Sequence, residues 1–190
     1  DNGGLSTGSG PNMPTSCSPL QAGKAWLYEG GIRVPLIIKM PGKTKPSLRI
    51  KEPVLSTDLY PTILDLLDLP LIPEQHRDGK SLKPLLAGKK KKIDREALYF
   101  HFPHYHHINS MGPSGAIRMG KYKLIEVFES GKTELYNLES DPGELHDLSK
   151  ERQSIAGKML KKLKSWQNES GVDMAIPNPN YIQEKDYRKN

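Results

Sequence analysis

The chain has 190 residues, enough for one domain of ordinary size or for part of a larger one. Apolar residues make up 35% of it, low for a self-sufficient globule, and 17 glycines with 16 prolines imply many loops. The formal charge of +6 favours anionic partners, the single cysteine excludes an internal disulfide, and no run of about 18 apolar residues has the pattern of a membrane-spanning helix.

The chain opens on Asp1-Asn2-Gly3-Gly4, a carboxylate beside a carboxamide, then two glycines. Such a quartet is by default a turn. The same two side chains also supply hard oxygen donors of the kind a divalent cation takes. Nothing precedes them to complete an element, so the chain reads as the C-terminal part of something larger. Residues 5–23 are rich in Gly, Ser, Pro and Thr and predict a surface loop, which ends at Gly23-Lys24. Glu29 and Arg33 flank the next segment, and Glu29 is read as a structural partner of Arg33 or of a backbone amide. The apolar run over residues 34–40 predicts a strand covered on both faces, as in a mostly parallel sheet.

Asp58 to Leu69 predicts a helix. Asp58 is placed to cap it, Pro61 falls in its first turn, and Leu59, Ile63, Leu66 and Leu67 form its apolar stripe. A short helical turn is expected over residues 81–86. The lysine run Lys89-Lys90-Lys91-Lys92 lacks interleaved aromatics, so it reads as an exposed loop and no nucleic-acid partner is expected. Strand-like segments at 97–100, 116–119, 122–128 and 133–138, with turns at Gly120-Lys121 and Ser130-Gly131-Lys132, predict an antiparallel meander. A final helix is expected over 151–169, with Ile155, Met159, Leu163 and Trp166 inward and Gly171 as its stop. An irregular tail follows.

Taken together, several stretches resemble the type I sulfatases of the alkaline-phosphatase-like superfamily. They are Asp1-Asn2-Gly3-Gly4, Pro19-Leu20-Gln21-Ala22-Gly23-Lys24, Tyr28-Glu29-Gly30-Gly31-Ile32-Arg33-Val34-Pro35, Asp58-Leu59-Tyr60-Pro61-Thr62, Asp78-Gly79-Lys80-Ser81-Leu82, and Glu134-Leu135-Tyr136-Asn137-Leu138 through Asp141-Pro142-Gly143-Glu144. They occur in the family's order and spacing over roughly residues 1–165, which is more specific than any one of them.

The resemblance implies an α/β fold in which residues 1–93 end a catalytic domain with a central mixed sheet. Residues 94–190 would then form a small antiparallel-sheet subdomain with a packed C-terminal helix. It implies that Asp1 and Asn2 hold a metal, usually calcium, that Lys24 contacts the sulfate, and that the intact protein hydrolyses sulfate esters. His101 and His104, in His101-Phe102-Pro103-His104-Tyr105-His106-His107, match histidines at the rim of the substrate cleft in sulfatases acting on sugars. Read without the family, that run is an exposed loop or a transition-metal site.

The family's nucleophile is a formylglycine made from a Cys/Ser-x-Pro/Ala-x-Arg motif. Cys17-Ser18-Pro19-Leu20-Gln21 imitates its start, but Gln21 stands in the arginine position, so Cys17 reads as a loop cysteine and this stretch alone is expected to be inactive. The expected partners are a sulfated small molecule or glycan and the N-terminal part of the same enzyme, with no membrane partner. The family implies a periplasmic, secreted or lysosomal location. Two other functions fit the same residues: a phosphonate or phosphate monoester hydrolase of this superfamily, and a non-catalytic module for anionic polysaccharide.

Overall fold

The computed structural model describes residues 2–6, 14–107 and 110–182. The expectation that Asp1 is a metal ligand lies outside these residues, as do the middle of the 5–23 loop and the end of the tail. Two compact units are present: Pro35–Arg95, and Asn2–Val34 together with the chain from Glu96 onward.

The second unit is built on one antiparallel sheet in sequence order, of strands β1 (Leu98–Phe102), β2 (Ser114–Met119), β3 (Tyr122–Val127) and β4 (Thr133–Asn137). Met119 pairs with Tyr122 across the Gly120-Lys121 turn, where Gly120 takes the left-handed φ of 56° that a side chain would resist. Alternation along the strands divides the sheet into two faces, each with an apolar cluster. On one face Ile117, Leu124 and Leu135 are register partners and pack against Ala156, Met159 and Leu163 of helix α4 (Gln153–Ser170). Tyr99 stacks on Trp166 at 4.8 Å between ring centres, extending the same contact. On the other face Ala116, Ile125 and Tyr136 pack against Leu27 and Tyr28. Burying a side chain the size of Leu27 or Ile125 contributes about 1.5–3 kcal/mol, so the chain from Leu27 is tied firmly to the sheet. Helix α4 stops at Gly171, whose φ of 61° is the left-handed conformation that ends helices. The meander and the final helix thus form where the sequence predicts them.

In this unit Leu27 and Tyr28 lead into a single helical turn, α1 (Glu29–Ile32). Tyr28 donates its hydroxyl to Glu134 Oε2 at 2.7 Å, and Tyr136 donates to the same oxygen at 3.0 Å. Burial, with the Glu134 carboxylate beside them, raises both phenols far above the ordinary tyrosine range, so they remain donors.

The unit Pro35–Arg95 holds a 3-10 turn (Ser56–Asp58), helix α2 (Leu59–Leu66) and a short helix α3 (Lys83–Leu86), around a small core of Leu66, Leu82, Leu85 and Leu86. Two expectations are corrected here. Residues 34–40 form no strand: Ile37 is 92% exposed, while Ile38 and Met40 lean on the small core instead. The amide and carbonyl of Met40 are both taken by Thr44, which closes a local turn where a sheet ladder would need them. Helix α2 also ends earlier and faces differently. Asp68 at φ 57° terminates the segment, and the buried side is Asp58, Pro61, Thr62 and Leu66, leaving Ile63 and Leu67 exposed. Polar bonding turns the helix: Thr62 Oγ1 donates to the Asp58 carbonyl at 2.6 Å and accepts the Leu82 amide at 2.8 Å.

Candidate functional site

The segment that carries Asn2 lies beside the turn that carries Lys24. The Gly3 amide donates to the Gly31 carbonyl at 2.8 Å, and a Cβ on Gly3 would lie 1.7 Å from the Gly30 carbonyl oxygen, so only glycine fits. The Lys24 amide donates to the Gly4 carbonyl at 2.9 Å, and Ser6 Oγ donates to the Ala22 carbonyl at 2.8 Å. Ala22 and Ala25 sit on either side at φ 58° and 72°, a left-handed backbone that costs each roughly 1–2 kcal/mol. Such strain persists only where surrounding bonds hold it. The Lys24 side chain is exposed. Asn2 is exposed too, and its Nδ2 donates to the Gly3 carbonyl at 2.8 Å, so Oδ1 is the amide atom suited to a hard cation. Among the described residues, no group of three His, Cys, Asp or Glu side chains converges as a metal site.

The histidine run belongs to the same unit. His104 packs its ring on Phe102 at 4.1 Å, and His106 stacks on His107 at 4.4 Å. Burial, the neighbouring His107 and the Lys24 cation hold His106 below the ordinary histidine value, which puts Lys24 within electrostatic reach of the run. His106 and His107 belong to the run that the sequence marks as an exposed loop or a transition-metal site. Their presence in one dense run with His104 is the signal that marks them. His101 has a different setting: its Nε2 lies 2.9 Å from the Asp173 carbonyl oxygen, and its ring is 5.4 Å from Phe128 and 6.5 Å from Trp166. Cys17 sits in the loop, with its thiol 3.8 Å from the Gly4 carbonyl oxygen.

Beneath the Lys24 turn lies a group of buried charges. Lys123 of β3 has no exposed surface, and its Nζ is 3.1 Å from Glu29 Oε1 and 2.8 Å from Glu144 Oε1. Glu144 Oε2 accepts the backbone amide of Glu29 at 2.6 Å. Arg118 and Arg33 approach Glu29 Oε2 at 3.6 and 3.7 Å, so Arg33 is a partner of Glu29, as the sequence suggests, but the most distant of three. Burial raises the Glu144 carboxyl above its ordinary value, opposed chiefly by Lys123.

Comparison with known proteins gives this arrangement a family. Residues 22–169 match the family described as N-sulphoglucosamine sulphohydrolase, C-terminal. The chain belongs to that sulfatase family. It is 37% identical over 180 residues to a sulfatase of Formosa agariphila, across 87% of this chain and 31% of that protein. It is 32% identical over 170 residues to human arylsulfatase A, across 78% of this chain and 32% of that protein. Its fold resembles the crystal structure of Ps i-CgsB, with a TM-score of 0.70 at 29% identity over 87% of this chain and 34% of that one. The complex of Ps i-CgsB with k-i-k-neocarrahexaose aligns at a TM-score of 0.72 and 28% identity, over 97% and 37% of the two chains. The sulfatase segment thus has the mixed α/β architecture of the alkaline-phosphatase-like fold. It spans about a third of the length of the relatives it matches. Among its described residues, no helix is long and apolar enough to cross a membrane.

Proposed function

We propose that the intact protein is a sulfatase that cleaves the S–O bond of sulfate esters, and that Lys24 and Asn2 are this segment's contribution to the reacting site. The observation that carries this reading is the 2.9 Å bond from the Lys24 amide to the Gly4 carbonyl. It joins the turn bearing the sulfate-binding cation to the extended segment bearing the metal ligand.

Lys24 binds the sulfate and offsets the charge that grows on its oxygens as the ester bond lengthens. Asp1 and Asn2 would hold calcium, with further oxygen ligands from elsewhere in the protein. Calcium, when bound, supplies positive charge against the sulfuryl oxygens. A Cys/Ser-x-Pro/Ala-x-Arg motif outside this segment supplies the formylglycine. Cys17 does not, because Gln21 occupies the arginine position.

The substrate class is a sulfated carbohydrate. Support comes from the net charge of +6, from the exposed His104 beside Phe102, and from the likeness to Ps i-CgsB, whose complex holds k-i-k-neocarrahexaose. In this reading His104 and His101 contact the sugar. Membership of the family supports a periplasmic, secreted or lysosomal location for the intact protein.

The test compares 4-nitrophenyl sulfate with 4-nitrophenyl phosphate as substrates of the intact protein, with calcium present and after chelation. Sulfate turnover that exceeds phosphate turnover and falls on chelation is expected. Preferential phosphate turnover reassigns the site to phosphoryl transfer.

A further inference from the structure

Two motifs marked in the sequence, one around Glu29 and one around Glu144, have no part in the proposed chemistry. They meet in space, 115 residues apart, with Lys123 between them. We propose that Lys123, Glu29 and Glu144 form a positioning unit that fixes Lys24 and Asn2 relative to each other by locking the single helical turn α1.

The path is continuous. Glu144 Oε2 accepts the first amide of α1, from Glu29, at 2.6 Å. Lys123 holds the two carboxylates together and anchors them to β3. The far end of α1 presents the Gly31 carbonyl to the Gly3 amide at 2.8 Å, next to Asn2. The Gly30 amide donates to the Gln21 carbonyl at 2.9 Å, and the Lys24 amide closes on Gly4. Both arms of the site therefore hang from α1.

That turn has four residues and no side-chain cap of its own. A helix so short does not form without external support. Glu144, itself at φ 54°, supplies the missing cap from a distant loop. Buried charge is a poor source of stability, since an apolar replacement often serves as well. A buried ion pair does, however, fix direction and distance, and this one is aimed at the backbone that carries both functional residues. The remaining charges facing it, Arg118 and Arg33, balance the second carboxylate.

This inference rests on the sulfatase reading for its consequence but not for its geometry, so two readouts separate them. Glu144→Gln and, independently, Glu29→Gln are made in the intact protein. Hydrogen exchange is followed at the amides of Gly3 and Lys24 and, as a control, at Ile117 and Ile125 in the sheet. The proposal expects exchange about 10-fold faster at Gly3 and Lys24 with the sheet unchanged. Unchanged exchange at Gly3 and Lys24, or equal acceleration everywhere, overturns it. In the kinetic arm, Glu144→Gln lowers kcat on 4-nitrophenyl sulfate by about 10-fold with little change in KM, and loses most of that effect when Lys24 is already alanine. Full additivity with Lys24→Ala overturns the proposal. If neither variant folds, the cluster is a folding element and the proposal fails. A wild-type protein inactive on sulfate esters, with the selective exchange pattern intact, sinks the sulfatase reading and upholds the positioning unit.

Discussion

Arg95 grips Asp58 with both guanidinium nitrogens, Nη1 at 3.0 Å from Oδ2 and Nη2 at 2.5 Å from Oδ1. The same carboxylate accepts the amides of Leu55 and Lys80 at 2.8 Å each and has no exposed surface. One side chain thus joins the 3-10 turn, the segment leading to α3 and the last residue of its unit. Gly79 beside it is required because a Cβ there would lie 2.3 Å from the Thr57 carbonyl oxygen. The Asp58 and Asp78-Gly79 motifs, which help identify the family, therefore act on the fold.

Removing the charge at this point is expected to be costly. Asp58→Asn leaves Arg95 partly buried without its ion pair, which typically destabilises by about 3–5 kcal/mol. Urea unfolding of the variant, followed on the transition that reports this unit, gives the value. A loss below about 1 kcal/mol contradicts the role assigned to Asp58.

The same residue sets an acid limit. Burial alone would raise the Asp58 carboxyl, but the Arg95 guanidinium and the Leu55 and Lys80 amides outweigh it and hold the group below the ordinary carboxylate value. A depressed folded pKa contributes stability that is present above the unfolded value, about 4, and is lost as pH falls through the folded one. Wild-type stability should therefore drop below about pH 4, and Asp58→Asn should flatten that drop. An identical slope in both proteins, measured by urea midpoints from pH 6 to 3, argues against it.

Much of the second unit was legible in the sequence because its signals are local. Gly120 and Gly131 mark the turns, and the spacing of Ile155, Met159 and Leu163 marks one helix face. Residues 34–40 were misread because an apolar run indicates burial but not its partner, and Thr44 and the small core claim the residues a strand would use. The stripe of α2 was misread because Thr62 and Asp58, both polar, bind the buried side. Motif order singled out Asn2 and Lys24, but not the bond from the Lys24 amide to the Gly4 carbonyl that holds their segments together. The Lys123 cluster joins residues 94 and 115 positions apart, and no spacing rule reaches that far.

Proximity of Lys24 to the histidine run can be read directly from a titration. The ring of His106 should titrate below the ordinary histidine range in the wild type, because burial, His107 and Lys24 all disfavour its proton. Lys24→Ala removes one nearby cation and should raise that midpoint, as observed by NMR of the imidazole. A midpoint unmoved by the substitution separates Lys24 from the run.

The central claim is that Lys24 meets the sulfate in the transition state, and the kinetics of Lys24→Ala in the intact protein test it most directly. Loss of one preorganised cation should lower kcat/KM for 4-nitrophenyl sulfate by about 10²–10³-fold, while the melting temperature of this exposed-site variant stays at the wild-type value. Turnover within about twofold of wild type, by a folded Lys24→Ala protein, contradicts the account.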